Sequence, residues 1–308
     1  MLKIHELLDE AKCYEAIRRI RWPQGVRCVQ CQSNKCSKDG HHTNQPLRQR
    51  YRCQACKRRF DDLSETVLGG HHQSITVWVL CLYFMGLNLS NRQIAQELEL
   101  NKDDAQQMTT TLRTEMHDRR DQPCLSGTVE CDEVYIVAGH KGHPAAVAAA
   151  GREGRPRRLK GQRGRGTLAQ EKPPVLGIIQ RTGQLVIELL PNVQQRTIQP
   201  LVQAVIQPGT TVMTDEYNIY GRLTQWGYSH QTVNHSQGEY ARDEDGDGFH
   251  EIHTNTIEGV WSLLRSWLRP HRGISQEHLP FYLACFEFIH NIRRRGKALL
   301  PSLLQLIL

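Results

Sequence analysis

The stretch Thr128–Val137 reads TVECDEVYIV, a run rich in β-formers with carboxylates at its centre. Val129 and Cys131 alternate with Glu130 and Asp132, so a strand here turns Asp132 to the face opposite Cys131. An aspartate within an apolar strand is costly unless a cation neutralises it. Taken alone, the segment also reads as an exposed edge strand with one charged face.

The flanking segments narrow the choice. Thr211–Asp215 (TVMTD) is a second strand ending in a carboxylate, followed by Glu216 and a helix-like stretch, Tyr217–Trp226. Before it lie strands at Val175–Gln180 and Leu185–Leu190, with a hairpin turn at Thr182-Gly183, and a helix at Gln194–Ile206. Downstream, His253–Leu268 (HTNTIEGVWSLLRSWL) repeats Ile257, Trp261, Leu264 and Leu268 at helical spacing. Glu258, Ser262, Arg265 and Arg269 share another face, with Asn255 one turn earlier. That face reads either as a solvated stripe or as a metal ligand followed by phosphate-binding arginines. A further helix spans Glu277–Arg294. The order strand, strand, strand, helix, strand, helix, strand, helix predicts an α/β, RNase H-like catalytic domain over 123–308, with a mixed sheet and helices on both faces.

Such acids suit phosphodiester chemistry. Attacking and leaving oxygens both carry charge in an in-line displacement, and two Mg²⁺ ions about 3.5–4 Å apart stabilise both. Mg²⁺ takes hard oxygen ligands and keeps several waters, so two or three carboxylates suffice, and Mn²⁺ can replace it.

Nearer the N-terminus, Cys28-Val-Gln-Cys31 and Cys53-Gln-Ala-Cys56 form two CxxC knuckles with 21 residues between them. Each tight turn offers two thiolates, and a pair completes a tetrahedral site for one structural Zn²⁺. The knuckles define a zinc ribbon over 26–70. Cys36, His41 and His42 read as loop residues, and Cys13, Cys81, Cys124 and Cys285 as small core residues. The basic run Arg48–Arg59, which includes Arg58 and Arg59, surrounds the second knuckle and offers phosphate contacts.

Residues 1–25 read as an amphipathic helix (Ile4, Leu7, Leu8, Ala11, Ala16, Ile17, Ile20) ended by Trp22-Pro23. Residues 71–122 read as helices only. Within them Ser90 caps a helix at Asn91–Leu98, Glu99-Leu100-Asn101 makes a turn, and a polar second helix runs over Lys102–Arg113. This is either a helix-turn-helix that lays its second helix in a DNA major groove or an ordinary helical hairpin. The insertion 139–172 carries eight Lys/Arg and one Glu between Lys141 and Arg165, with no apolar period. It reads as a flexible segment that orders on a DNA backbone, with Lys141, Arg157, Arg158 and Lys160 as contacts, or as plain disorder. Asp243, Asp245, Asp247 and Gly248 imitate an EF-hand loop, but Thr254 stands where its bidentate Glu is required, so the segment reads as an acidic surface loop.

The formal charge of +7 favours a polyanionic partner, and 6% aromatics argue against recognition by many stacked rings. The N-terminal MLKIHELLDEAK is unlike a signal peptide, and the apolar window Val77–Leu89 is too short to span a bilayer. A cytoplasmic, nucleoid-associated protein without membrane contact is expected, its ten cysteines serving metal more than disulfides.

Together these blocks resemble bacterial insertion-sequence transposases of the IS1595 type, with an ISXO2-like transposase domain. RWPQGVRCVQC and YRCQACKRRF are similar to that family's zinc ribbon, and VECDEVYI, TDEYNIY and HTNTIEGVWSLLR to the blocks around its catalytic residues. The resemblance covers nearly the whole chain. It implies that Asp132 and Asp215 are catalytic aspartates, with Glu258 or Asn255 as third ligand. It also implies two-metal 3′-strand cleavage at terminal inverted repeats, then strand transfer into target DNA by a homodimer or larger synaptic complex. The rivals are an inactive or domesticated DNA-binding derivative and a structure-specific nuclease that does not join.

Overall fold

The computed structural model describes residues 9–140, 144–149, 166–169, 171–234, 238–239, 241–243, 246–248, 250–294 and 298–308. Ile4, Leu7 and Leu8 of the expected first helix, Asp245, and Lys141, Arg157, Arg158 and Lys160 of the basic insertion lie outside these residues. The described residues of 1–120 and 295–308 form one compact unit and those of 121–294 another.

Asp9 opens α1 (Glu10–Arg21) by accepting from the Ala11 and Lys12 N–H groups at 2.9 and 3.3 Å. The helix stops at Trp22, immediately before Pro23, because the residue preceding a proline disfavours helical geometry. Trp22 then packs edge-on against Tyr51 and Phe60 of an antiparallel sheet, β1 (Cys36–His42), β2 (Gln45–Cys53) and β3 (Arg59–Asp61). Helix and sheet are joined at Asp62, whose carboxylate has no solvent exposure. It accepts from Arg18 Nε (3.0 Å) and Nη2 (2.9 Å), Tyr51 Oη (3.1 Å) and the Gln49 backbone N–H (2.7 Å). A buried charge persists because it is paired and fully hydrogen-bonded.

At one end of this sheet the Sγ atoms of Cys28, Cys31, Cys53 and Cys56 all lie within 4.8 Å of one another. Tetrahedral zinc with bonds of about 2.3 Å separates its sulfurs by about 3.8 Å, so the cluster fits a Cys₄ zinc site. The Cys56 N–H approaches Cys53 Sγ at 3.5 Å, and this backbone donor is the main cause of a Cys53 pKa lowered to about 6. Cys36, directly across from Cys53 in the β1–β2 register, donates to the Ser33 carbonyl instead.

Three helices follow. α2 (Ile75–Gly86), capped by Ser74, buries Trp78, Val79, Cys81, Leu82 and Met85. α3 (Asn91–Glu97) has a reciprocal capping box between Ser90 and Gln93, and Asn101 caps α4 (Lys102–Asp118). The turn between α3 and α4 places Glu99 at φ 52°, in the left-handed region. α4 runs beyond Arg113 because Met116 prolongs the buried stripe of Ala105, Met108 and Leu112.

In the second unit, β4 (Thr128–Tyr135) is the middle strand of five. The short α5 (Pro144–Ala149) follows, then β5 (Pro174–Gln180), β6 (Leu185–Leu189), α6 (Gln195–Val205), β7 (Thr211–Asp215) and β8 (Ser229–Val233). The strand order is β6-β5-β4-β7-β8, with β5 antiparallel to both neighbours and β4, β7 and β8 parallel. This mixed sheet is RNase H-like. The expected helix at 217–226 is two short 3₁₀ turns, Asn218–Tyr220 and Thr224–Trp226, which bury Ile219 and Tyr220. A two-stranded ribbon, β9 (Ala241–Arg242) and β10 (Ile252–His253), precedes α7 (Asn255–Leu268) and α8 (Leu279–Arg294). In the acidic loop between them Asp243 accepts from the Gly246 and Gly248 N–H groups at 2.6 and 2.8 Å.

The sheet separates two cores. Val129 and Cys131 face Ile198 and Val202 of α6, whereas Val134, Val175 and Ile179 face Ile257, Val260, Trp261 and Leu264 of α7 and Leu283 and Phe286 of α8. Cys13, Cys81, Cys131 and Cys285 are buried. Cys124, expected in a core, is exposed, because it lies in the extended lead-in before Leu125, the first buried residue there. Finally, α9 (Leu299–Ile307) buries Leu300, Leu303, Leu304 and Ile307 and packs in the first unit against α1, α2 and α4. No helix of the described residues is long and apolar enough to cross a membrane.

Elemental analysis is expected to find about one zinc per chain, and Cys31→Ser to lower that to near zero. Removal of the metal with a chelator should unfold the ribbon, seen as loss of the tryptophan signal that Trp22 reports, because a sheet this small has little core of its own.

Candidate functional site

Strand alternation puts Glu130 and Asp132 on the face of β4 that α7 covers. Asp132 Oδ2 accepts from Trp261 Nε1 at 2.8 Å. Across the sheet Asp132 is paired with Gly177, where a Cβ would sit 2.3 Å from Trp261 Cη2 and 2.8 Å from Ile257 Cδ1. Only glycine leaves room for the indole that orients Asp132. Burial raises the Asp132 pKa to about 6; the Trp261 and Glu133 N–H bonds oppose that rise, and the charges of Asp215 and Glu258 add to it.

Asp215 ends β7. The parallel pairing runs Thr128↔Thr211, Val129↔Val212, Glu130↔Met213, so Asp132 and Asp215 each stand two residues past the last of these pairs, and the charge of Asp215 is felt at Asp132. Its Oδ1 accepts from the Tyr217 N–H at 3.0 Å. Glu258 is exposed in the first turn of α7, and its Oε1 accepts from Thr254 Oγ1 at 3.3 Å. It lies one turn before Trp261; Asn255, also exposed, starts the helix a further turn back. Thus Asp132 is in electrostatic reach of both Asp215 and Glu258. Among the described residues only the cysteines bring ligand atoms all within 4.8 Å, so the three acids form a looser set. Their hard oxygens are of the type that Mg²⁺ or Mn²⁺ takes.

Arg265 is exposed on α7, and Arg269, also exposed, begins the 3₁₀ turn just past its end. Arg58 and Arg59 make surface ion pairs with Glu65 (2.8 Å) and Asp39 (2.9 Å). Such exposed pairs contribute about 0–1 kcal/mol.

Sequence reading passed over Glu130. Its side chain is fully buried and accepts from Arg181 Nε (2.7 Å), Thr256 Oγ1 (2.8 Å) and the Ile257 N–H (3.0 Å), with His253 Nδ1 3.3 Å away. The available signal was the two-residue spacing that gives it the same face as Asp132. Glu133, on the opposite face, is bonded by the hydroxyl of buried Tyr220.

Comparisons with known proteins give the family of both parts of the chain. Residues 124–291 match the model of the ISXO2-like transposase domain, and residues 8–59 that of the transposase zinc-ribbon domain. The chain is 31% identical over 311 residues, 99% of each chain, to an uncharacterized protein in transposable element ISH50 of Halobacterium salinarum. It is 29% identical over 103 residues, 33% of this chain and 77% of the relative, to an uncharacterized transposase-like protein of Haemophilus influenzae.

Because the Asp132 pKa is higher folded than unfolded, the folded state holds more protons between about pH 4 and 6, and stability falls as pH rises through that window. Asp132→Asn should abolish this fall and stabilise the magnesium-free protein at pH 7.5 by about 1–3 kcal/mol, measured by urea unfolding at several pH values. Gly177→Val should do the reverse, lowering stability by about 2–3 kcal/mol as it displaces Trp261.

Proposed function

The chain belongs to the ISXO2-like transposase family, and from that premise we propose that it cuts and joins DNA at a site made by Asp132, Asp215 and Glu258. The observation that carries this reading is the presence of two aspartates on adjacent parallel strands, with Asp132 held under α7 by Trp261 and its pKa raised by burial and, to a lesser degree, by the charges of Asp215 and Glu258. Two Mg²⁺ or Mn²⁺ ions held by these acids would supply an activated water and stabilise the charged oxygens of an in-line displacement. Trp261 orients Asp132, and the three carboxylates concentrate negative charge where a cation would relieve it. Glu258 is preferred to Asn255 as third ligand because it is anionic and one turn nearer Trp261. Arg265 and Arg269 would grip the DNA backbone.

In this reading, hydrolysis of a P–O bond frees a 3′-OH at the end of a mobile element. That hydroxyl then attacks a target phosphodiester, forming one P–O bond as another breaks, so no external energy source is required. The ribbon, with Arg58 and Arg59, and helices α3 and α4 would hold the terminal inverted repeats. Pairing of two ends calls for a homodimer or larger synaptic complex, acting on DNA in the cytoplasm.

With end-containing DNA and Mg²⁺, Asp132→Ala and Asp215→Ala should each lower cleavage by at least about a thousandfold, and Glu258→Ala likewise. Asn255→Ala should cost less than about tenfold, and the opposite ranking would make Asn255 the ligand. Equal inertness of the unaltered protein and Asp132→Ala would leave a DNA-binding protein. Cleavage without joined products from pre-cut ends would leave a nuclease.

A further inference from the structure

The N-terminus of α7 is closed from outside the helix. Thr254 occupies the capping position, yet makes no side-chain cap bond; its hydroxyl donates to Glu258 instead. The N–H of the third helical residue, Ile257, which a capping side chain ordinarily takes, is accepted at 3.0 Å by Glu130 on β4. The second carboxylate oxygen of Glu130 accepts from Thr256 Oγ1 and Arg181 Nε. Arg181 in turn donates to the Glu251 carbonyl (2.5 Å) and the His253 carbonyl (2.9 Å) and reaches Met213 Sδ (2.8 Å) on β7. The approach to α7 is therefore held by its carbonyls, and its first turn by its donors, from one ion pair whose carboxylate is fully buried and whose guanidinium is partly so.

We infer that Glu130, clasped by Arg181, is a positioning residue: it sets the height and register of α7 over β4, and hence the distance of Glu258 from Asp132 two residues along the same strand face. This rests on the metal-site reading above. An ion pair taken largely out of water is a poor source of stability, since apolar residues of similar size often serve as well or better; its best-attested use is to select one register among several. Here the selected register is that of the helix carrying one acid against the strand carrying another. A negative charge at a helix N-terminus adds a favourable dipole interaction at the same place.

The test is Mn²⁺ binding by the zinc-loaded full chain, followed by electron paramagnetic resonance. Glu130→Gln should weaken Mn²⁺ about tenfold or more while zinc content stays unchanged. Glu130→Met combined with Arg181→Met should recover the urea midpoint but not the Mn²⁺ affinity, which separates positioning from stability. Glu130→Gln should cause no further loss once Glu258→Gln is present, because it acts through Glu258. A folded Glu130→Gln or double-Met protein with unaltered Mn²⁺ affinity overturns the inference alone, as do fully additive losses with Glu258→Gln. Mn²⁺ binding that survives Asp132→Asn unchanged overturns the metal-site reading and the inference with it.

Discussion

Two carboxylates two residues apart on a buried strand face must each be answered by something, and the second unit is arranged around those answers. Glu130 receives a guanidinium, a hydroxyl and a helix amide; Asp132 receives an indole N–H. Three of these four donors belong to the first two turns of α7, so neutralising β4 and docking α7 are the same event. Gly177 completes the arrangement by giving up its side-chain volume to Trp261. Asp132, answered by the indole and the Glu133 N–H, still has its pKa raised by burial, so its charge is the less compensated of the two.

The first unit solves a different problem. Its sheet is too small to bury much, so four thiolates gathered within 4.8 Å take the place of a core. Asp62 repeats at smaller scale the logic of Glu130: a fully buried carboxylate whose donors come from α1 and β2, fixing one against the other.

Much of this was legible in the sequence, for identifiable reasons. Paired CxxC turns, the alternation in TVECDEVY and the 3.6-residue period of Ile257, Trp261 and Leu264 are local signals, and each names its own element. Ser90 with Gln93 announced its capping box in the same way. What stayed hidden is relational. A strand acid reads alike whatever it bonds to, so nothing local in TVECDEVY shows that Glu130 receives the first turn of a helix over a hundred residues away. The stretch after Asp215 has helical composition but becomes two 3₁₀ turns, because Ile219 and Tyr220 must both reach the sheet within three residues. Cys124 shows the converse, a residue type that favours cores placed where the chain has not yet entered one.

One feature of the connectivity bears on how the protein is made. α9 follows the whole RNase H-like sheet in the chain, yet its leucines pack with α1, α2 and α4. During synthesis the cysteine knuckles leave the ribosome early, but their unit must wait through the translation of every strand of the other before its core closes. At about 5–20 residues per second that interval lasts roughly ten to forty seconds. The sheet can fold first, as an uninterrupted stretch of chain, and the helical core can complete only after it. On this order of synthesis a nascent chain can hold a finished sheet before it can hold a finished ribbon-and-helix unit.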